Sequence, residues 1–443
     1  MNAHHDTLPT ADPHTSPGIS ILVRRPCEDA AQLHIGLANL EHAVAIGPDT
    51  TFNVGSVAKQ ITAHLVLLAA EDGLLTLNQP ANTLLPRLQV RVTIADLITH
   101  RSGLRDAETL LSLAGFRDLD YYTADDLLSL ACRQKQRSVP EGQFLYSNTN
   151  YLLLAEILEV VYCRDLADLA RVRLFDPLGM ASTRFKTDPR QLVLGGASSY
   201  QPTSGGWQHA AEPAALPGPG ALWTTPADLD RWLDYLHGRW HQDGLALPEQ
   251  RTVPYQPADQ GRYLYGPGLY ADAHTAQRDV FHYGHEQGFS AAAQLGSTGA
   301  RIICMSNNHT IAADHVAARL GAQLRTPRVD GLEESVAAAL AVSTGPRASA
   351  YACEGTRIDS EGPSILGTFV CAEVPGTLRL SHKDGALHLW RRGTGDRLTK
   401  SGPLTYIGPG YRITVQGTED DEMVPERFIL DLVRAPALLY KRQ

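Results

Sequence analysis

Ser56 and Lys59 lie three residues apart in NVGSVAKQITAHLVLLAAEDGLL, a stretch that begins at Asn53. From Ser56 onward Val57, Ile61, Leu65 and Leu68 recur at helical spacing, which predicts a buried amphipathic helix. Residues three apart share a helix face, so the hydroxyl and the amine are neighbours by geometry. A serine hydroxyl becomes a useful nucleophile beside a base, and a lysine desolvated among apolar neighbours can have its pKa lowered enough to serve. Gly55 precedes the serine at the helix start, where free backbone N–H groups support negative charge. A four-residue pattern of this kind also arises by chance, so its meaning depends on its setting.

Two further groups could complete the chemistry. In PEGQFLYSNTNYLLLAEILEVV, Tyr146-Ser147-Asn148 sits on what should be a loop entering a strongly apolar helix. Taken alone, Tyr146 packs and Asn148 caps that helix. Taken with Ser56, Tyr146 is a proton shuttle between the serine and the leaving group, and Asn148 donates to a substrate carbonyl. In DVFHYGHEQGFSAAAQL a run with β character ends in His282-Tyr283-Gly284, and Gly284 would let a substrate approach the strand backbone closely. His282 would bind substrate or assist proton transfer, the plainer alternative being a surface histidine near a turn. His282, His285 and Glu286 show no HExxH or comparable metal-ligand spacing, and no metal or other cofactor is expected.

The elements that must position these residues are those of an ordinary globular chain. Its 443 residues suit two domains, or one large domain plus a small one. With 43% hydrophobic and 20% charged residues, sizeable cores are expected. A net charge of -9 and the lack of any Arg- or Lys-rich run argue against a nucleic-acid partner. The opening MNAHHDTLPTADPHTSPG lacks the basic start and apolar core of a secretory signal. No later segment approaches the roughly 18 apolar residues of a membrane span. A cytoplasmic location with no membrane partner is the expectation. Cys27, Cys132, Cys163, Cys304, Cys353 and Cys371 contain no C-x-x-C pair and read as reduced, buried fillers.

From SPGISILVRR to about residue 330, short β-like runs alternate with helical ones, as in an α/β or α+β body. Thr225, Pro226 and Asp228 mark one helix start with a cap, a first-turn proline and an acid. AVSTGPRASA, residues 341–350, reads as a linker between a domain over 1–340 and another over 351–443. Beyond it the helical period disappears. GTLRLSHKDGALHLWRR alternates on both sides of Asp384-Gly385, a hairpin signal, and LTYIG, YRITVQG, ERFILDLV and ALLYKR follow. Seven or eight strands in under 100 residues predict a small sandwich or closed barrel.

The order S-x-x-K, Y-x-N, H-x-G resembles the serine β-lactamase and penicillin-binding-protein-like family. SPGISILVRR, LANLEHAVAIGPDTTFNVGSVAKQ, LITHRSGL, YSNTNYLLLAEIL, FDPLGM, LWTTPADLDRWL and HYGHEQGFSAAA look like segments of that family, in its order, over about residues 16–325. The resemblance implies a β-lactamase/transpeptidase-like α/β (α+β) domain, with a helical subdomain, an α/β subdomain built on an antiparallel sheet, and the active site between them. It implies Ser56 as acylated nucleophile, Lys59 and Tyr146 as proton carriers, and an oxyanion hole from the N–H groups of Ser56 and His285. True β-lactamases of this type usually carry Lys where this chain has His282, which is closer to the D-aminopeptidase, esterase and peptidase branches. His285 and Glu286 stand where relatives often have glycine and a small polar residue, which implies a narrower or more selective mouth. The C-terminal strands resemble the lipocalin-like barrel appended to some D-residue-specific peptidases and to penicillin-binding-protein-type thioesterases that cyclise nonribosomal peptides. Its expected task is to wall one side of the cleft and select substrate shape.

Two enzymatic readings share every catalytic residue. In the first, Ser56 takes a peptidyl group from a small-molecule ester or a carrier-protein thioester, and the peptide's own amine closes a macrolactam. In the second, a D-stereospecific aminopeptidase, amidase or esterase lets water finish the reaction. A catalytically silent receptor on the same scaffold would have no need of Ser56, Lys59, Tyr146 and His282 together.

Overall fold

The computed structural model describes residues 15–117, 119–241, 253–272, 279–324, 333–334, 336–337, 340, 365–416 and 425–443. The expected linker, 341–350, and Cys353 lie outside the described residues. The chain divides into two compact units. One comprises residues 1–77 and 154–346, the other residues 78–153 and 347–443.

The first unit is built on an antiparallel eight-stranded sheet. Its order is Gln256–Ala258, Tyr263–Tyr265, Tyr270–Asp272, Val280–Glu286, Phe289–Leu295, Arg301–Ser306, Ile19–Arg24, Ala31–Ile35. The first strand in sequence thus closes against the last, Ile19 opposite Ser306 and Arg24 opposite Arg301. Strand residues alternate between faces, and the two faces use that period differently. Ile19, Ile21 and Val23 join Ile302, Cys304 and the helix residues Val316, Ala317 and Leu320 in one core. On the other face Arg24 and Arg301 reach Asp230 of the helix Pro226–His241, at 2.8 and 2.7 Å. That helix starts as expected, with Thr225 Oγ1 accepting the Asp228 N–H at 3.2 Å.

The helix Lys59–Glu71 follows a short 3-10 turn, Gly55–Ala58. It is buried on nearly every side instead of along one stripe, so the amphipathic expectation is corrected. Three of its polar side chains bond within the fold. Thr62 Oγ1 donates to the Gly218 carbonyl at 2.9 Å, Gln60 Oε1 accepts from Trp232 Nε1 at 3.0 Å, and His64 Nε2 meets the Tyr235 hydroxyl at 3.0 Å.

The second unit joins short helices to a C-terminal all-β barrel. Ile94–Ile98 and Ala124–Arg133 each begin with a reciprocal capping box, Thr93 with Asp96 and Thr123 with Asp126. The barrel sheet contains nine strands among the described residues, against the seven or eight expected. The three that fall outside the runs quoted from the sequence are short, Gly367–Val370, Thr394–Arg397 and Thr399–Gly402, too brief to show a period. The two end strands of the sheet are consecutive in sequence, linked through Leu398, so the sheet curls until its edges are almost joined. Phe369, Leu380, Leu389, Ile413, Phe428 and Leu430 fill the interior. The Asp384-Gly385 hairpin forms as read, both residues at positive φ, 51° and 71°.

The buried-filler reading of the cysteines is corrected. Cys27 and Cys163 are exposed, Cys132 and Cys371 half-buried, and Cys304 alone of the described five is buried; all five are free thiols. Cys27 and Cys163 sit at turns with positive φ, 62° and 49°, where the chain faces solvent. Among the described residues no helix is long and apolar enough to cross a membrane.

Candidate active site

The nucleophile turn is fastened from both ends. Phe52–Asn53 pairs with Leu222–Thr224, and the Asn53 side chain accepts the Gly55 N–H at 3.0 Å. Gly55 has φ 49°, a left-handed conformation that admits glycine at little cost. The turn delivers Ser56 half-buried and Lys59 fully buried. Lys59 Nζ lies 2.8 Å from Ser56 Oγ and donates to the Pro219 carbonyl, also at 2.8 Å. The face-sharing expected from the three-residue spacing is realised, and the second contact was illegible because Pro219 is 160 residues away.

The strand Val280–Glu286 runs beside this turn. It does not end at Gly284; its pairing continues to Glu286 opposite Phe289. A β-carbon on Gly284 would collide with the Val54 carbonyl oxygen and lie 2.8 Å from the Ser56 backbone nitrogen. The close approach expected of a substrate is therefore made by the chain's own nucleophile turn. A β-carbon on Gly55 would in turn stand 3.0 Å from the His285 nitrogen. The backbones of Ser56 and His285 are thus neighbours, and the Glu286 carboxylate lies against Gly220 at the same edge.

His282 is buried in this unit, 1% exposed, and is not a surface histidine. Its Nε2 is 3.4 Å from the Tyr265 hydroxyl, and its ring packs among Tyr265, Tyr270 and Tyr283. Burial first, then the Lys59 charge, push the imidazole down to about 3, so it is neutral at ordinary pH.

Tyr146 and Asn148 belong to the second unit, both half-buried. The helix begins at Asn148 itself, Asn148–Tyr162, so this residue stands in the first turn instead of capping from outside. Its backbone N–H donates to Asp106 Oδ2 at 2.7 Å and its side-chain amide to Glu108 Oε2 at 2.6 Å. Burial and the neighbouring Asp106 raise the Glu108 pKa, opposed by hydrogen bonds from Asn148 and Tyr122 and by the Arg434 charge. The Arg434 guanidinium sits 4.9 Å from the Tyr146 ring centre. Asp106, Glu108 and Arg434 were not singled out from sequence, because no short pattern links them to Tyr146. Among the described residues no three His, Cys, Asp or Glu side chains are grouped to hold a metal ion.

An antiparallel sheet packed on a buried helix, with a serine and a lysine in the turn that starts that helix, defines a class. The chain belongs to the beta-lactamase family, a family of serine-hydrolase type, whose model matches residues 10–324. It is 26% identical over 278 residues to the D-aminopeptidase of Brucella canis, covering 62% of this chain and 53% of that protein. The chain therefore spans about half the length of the curated relatives it matches. Among solved structures it is similar to the D-amino acid amidase from Ochrobactrum anthropi SV3. That match has TM-score 0.56 and 24% identity, over 73% of this chain and 93% of that one. It is also similar to SurE, with TM-score 0.57 and 22% identity over 97% of this chain and 96% of that one. These structural likenesses describe the fold.

Proposed function

We propose that this protein is a serine acyl-enzyme peptidyl transferase acting on peptides that carry a D-residue, releasing and cyclising a peptidyl thioester head to tail. The observation that carries the acyl-enzyme reading is the buried Lys59 amine 2.8 Å from Ser56 Oγ. With the amine neutral, the same contact serves with the hydroxyl as donor. Ser56 Oγ attacks the acyl carbonyl, its proton passes through Lys59 and Tyr146, and the sulfur leaves as a thiol. The peptide's own amine then attacks the ester, returns a proton to Ser56 Oγ and departs as the macrolactam. The Ser56 and His285 N–H groups are assigned to the oxyanion, each worth about 3–4 kcal/mol by the usual deletion measure. Asn148 and Gly284 are assigned to substrate binding and His282, as a neutral imidazole, to lining the site and assisting proton transfer.

The D-residue is supported by what the relatives are named for, a D-aminopeptidase and a D-amino acid amidase. The release of a nonribosomal peptide, free or on a carrier protein, is supported by the resemblance of the C-terminal strands to the barrel of penicillin-binding-protein-type thioesterases, on a fold shared with SurE along nearly the whole chain. A cytoplasmic location is proposed with it. The second reading, hydrolysis by water, is favoured by the same two named relatives and uses the same residues.

Intact-mass analysis decides between them. The protein and Ser56→Ala are mixed with short peptidyl thioesters ending in a D- or an L-residue. A Ser56-dependent adduct from the D-ending peptide, released at the peptide mass minus water, is the expected outcome. Release as the linear acid would assign the hydrolase, and an unchanged rate in Ser56→Ala would remove Ser56 as nucleophile.

A further inference from the structure

Residue 100 holds the chain on both sides of Tyr146. The His100 carbonyl accepts the Leu145 N–H at 2.8 Å, and its ring Nδ1 accepts the Ser147 N–H at 3.3 Å. Between these two bonds the imidazole lies against the Tyr146 ring, centres 4.3 Å apart and planes 36° apart. His100 is wholly buried.

The backbone explains how it reaches that position. Thr99 caps the helix Ile94–Ile98, and beyond it the His100 N–H bonds the Leu97 carbonyl at 3.2 Å and the Arg101 N–H the Asp96 carbonyl at 2.7 Å. These are the two hydrogen bonds of a Schellman motif, whose residue at the His100 position is left-handed and normally glycine. His100 adopts φ 56° with a β-carbon. Glycine would satisfy the turn with less strain, so the cap alone does not account for the histidine; the imidazole does.

Its protonation state follows from its partners. A backbone N–H can only donate, so Nδ1 carries a lone pair and the ring proton sits on Nε2. Asn150 Nδ2 stands 2.9 Å from the same Nδ1, and its Oδ1 accepts the Ser102 hydroxyl at 2.5 Å, which orients the amide as a second donor.

We propose that His100 is the positioning residue of Tyr146. Its backbone and neutral imidazole bracket residues 145–147 and set the angle at which the phenol is presented. The inference rests on the reading of Tyr146 as a proton carrier.

The test is a double-mutant cycle on the rate of Ser56 acylation by a D-ending peptidyl thioester, read by mass, with melting curves alongside. His100→Gly keeps the left-handed cap and removes the ring; acylation is expected to slow about 100-fold with little change in KM. His100→Asn accepts a left-handed backbone and places Oδ1 where Nδ1 was, and recovery to within about tenfold of the parent is expected. Combining His100→Gly with Tyr146→Phe is expected to cost no more than Tyr146→Phe alone. The positioning role is overturned if Tyr146→Phe is slow while His100→Gly stays within about threefold of the parent. Multiplying losses in the double variant, or an Asn variant that folds yet stays as slow as the Gly variant, would also overturn it. Should His100→Gly not fold, a folded Asn variant slowed beyond about tenfold overturns the inference by itself. A fully active Tyr146→Phe would instead sink the reading of Tyr146, and this inference with it.

Discussion

At the scale of single residues, two positions of the strand Val280–Glu286 carry consequences that differ in kind. Gly284 is required by contact: a methyl group there meets the Val54 carbonyl and the Ser56 nitrogen, both backbone, and the Val54 carbonyl already accepts the Val57 N–H at 3.1 Å. Gly284→Ala should therefore displace the nucleophile turn. A loss of about 1–3 kcal/mol in urea unfolding is expected, with much slower acylation; parental behaviour in both would show that the turn yields freely. His282 is held neutral by burial. Its imidazole binds a proton near 6.5 when unfolded but only near 3 in the fold. The unfolded chain gains that proton as pH falls and the native one refuses it, so this contribution is lost from about pH 6.5 down to 3. The urea midpoint of His282→Asn should fall less than the parent's between pH 7 and pH 4.5; equal falls would mean that the imidazole titrates normally.

At the scale of elements, helix starts were readable because caps are local. The Thr225-Pro226 start is recovered, and Thr123 with Asp126 shows how a reciprocal cap holds the exposed start of Ala124–Arg133. Thr123→Ala should cost about 1 kcal/mol of stability in denaturant unfolding, since it leaves the Asp126 N–H without its side-chain acceptor. The helix behind Ser56 was only half legible. Its apolar spacing was visible, yet the burial of its polar face depends on Trp232, Tyr235 and Gly218, far along the chain. The strands were legible where alternation lasted six residues, as in Leu378–Lys383, and invisible where four residues gave no period.

At the scale of the whole molecule, the second unit unites the helices around Tyr146 with the barrel. Arg105, its side chain 3% exposed, pairs with Glu373 at 2.7 Å and donates to the Pro436 and Ala437 carbonyls at 2.7 and 3.1 Å. Next to it the Asp106 N–H bonds the Arg434 carbonyl at 2.9 Å. Arg105→Met would leave the Glu373 carboxylate and two carbonyls without this donor, and about 3–5 kcal/mol of destabilisation is expected in thermal melts. Removing residues 365–443 should do more than alter substrate choice. Hydrogen exchange within 78–153 should quicken, and unchanged protection there would show that the helices stand without the barrel.

The sequence by itself determined what a few neighbouring residues decide: that Ser56 and Lys59 share a face, that Asp384-Gly385 turns a hairpin, that Thr225 starts a helix. Backbone sterics and hydrogen bonds act over three or four positions, and those rules are written in the chain. Tertiary structure alone decided which carbonyl receives Lys59, which backbone demands Gly284, and which side chain brackets Tyr146. These contacts join residues from 47 to more than 200 positions apart, and their partners are selected by strand register and packing, which no local pattern encodes.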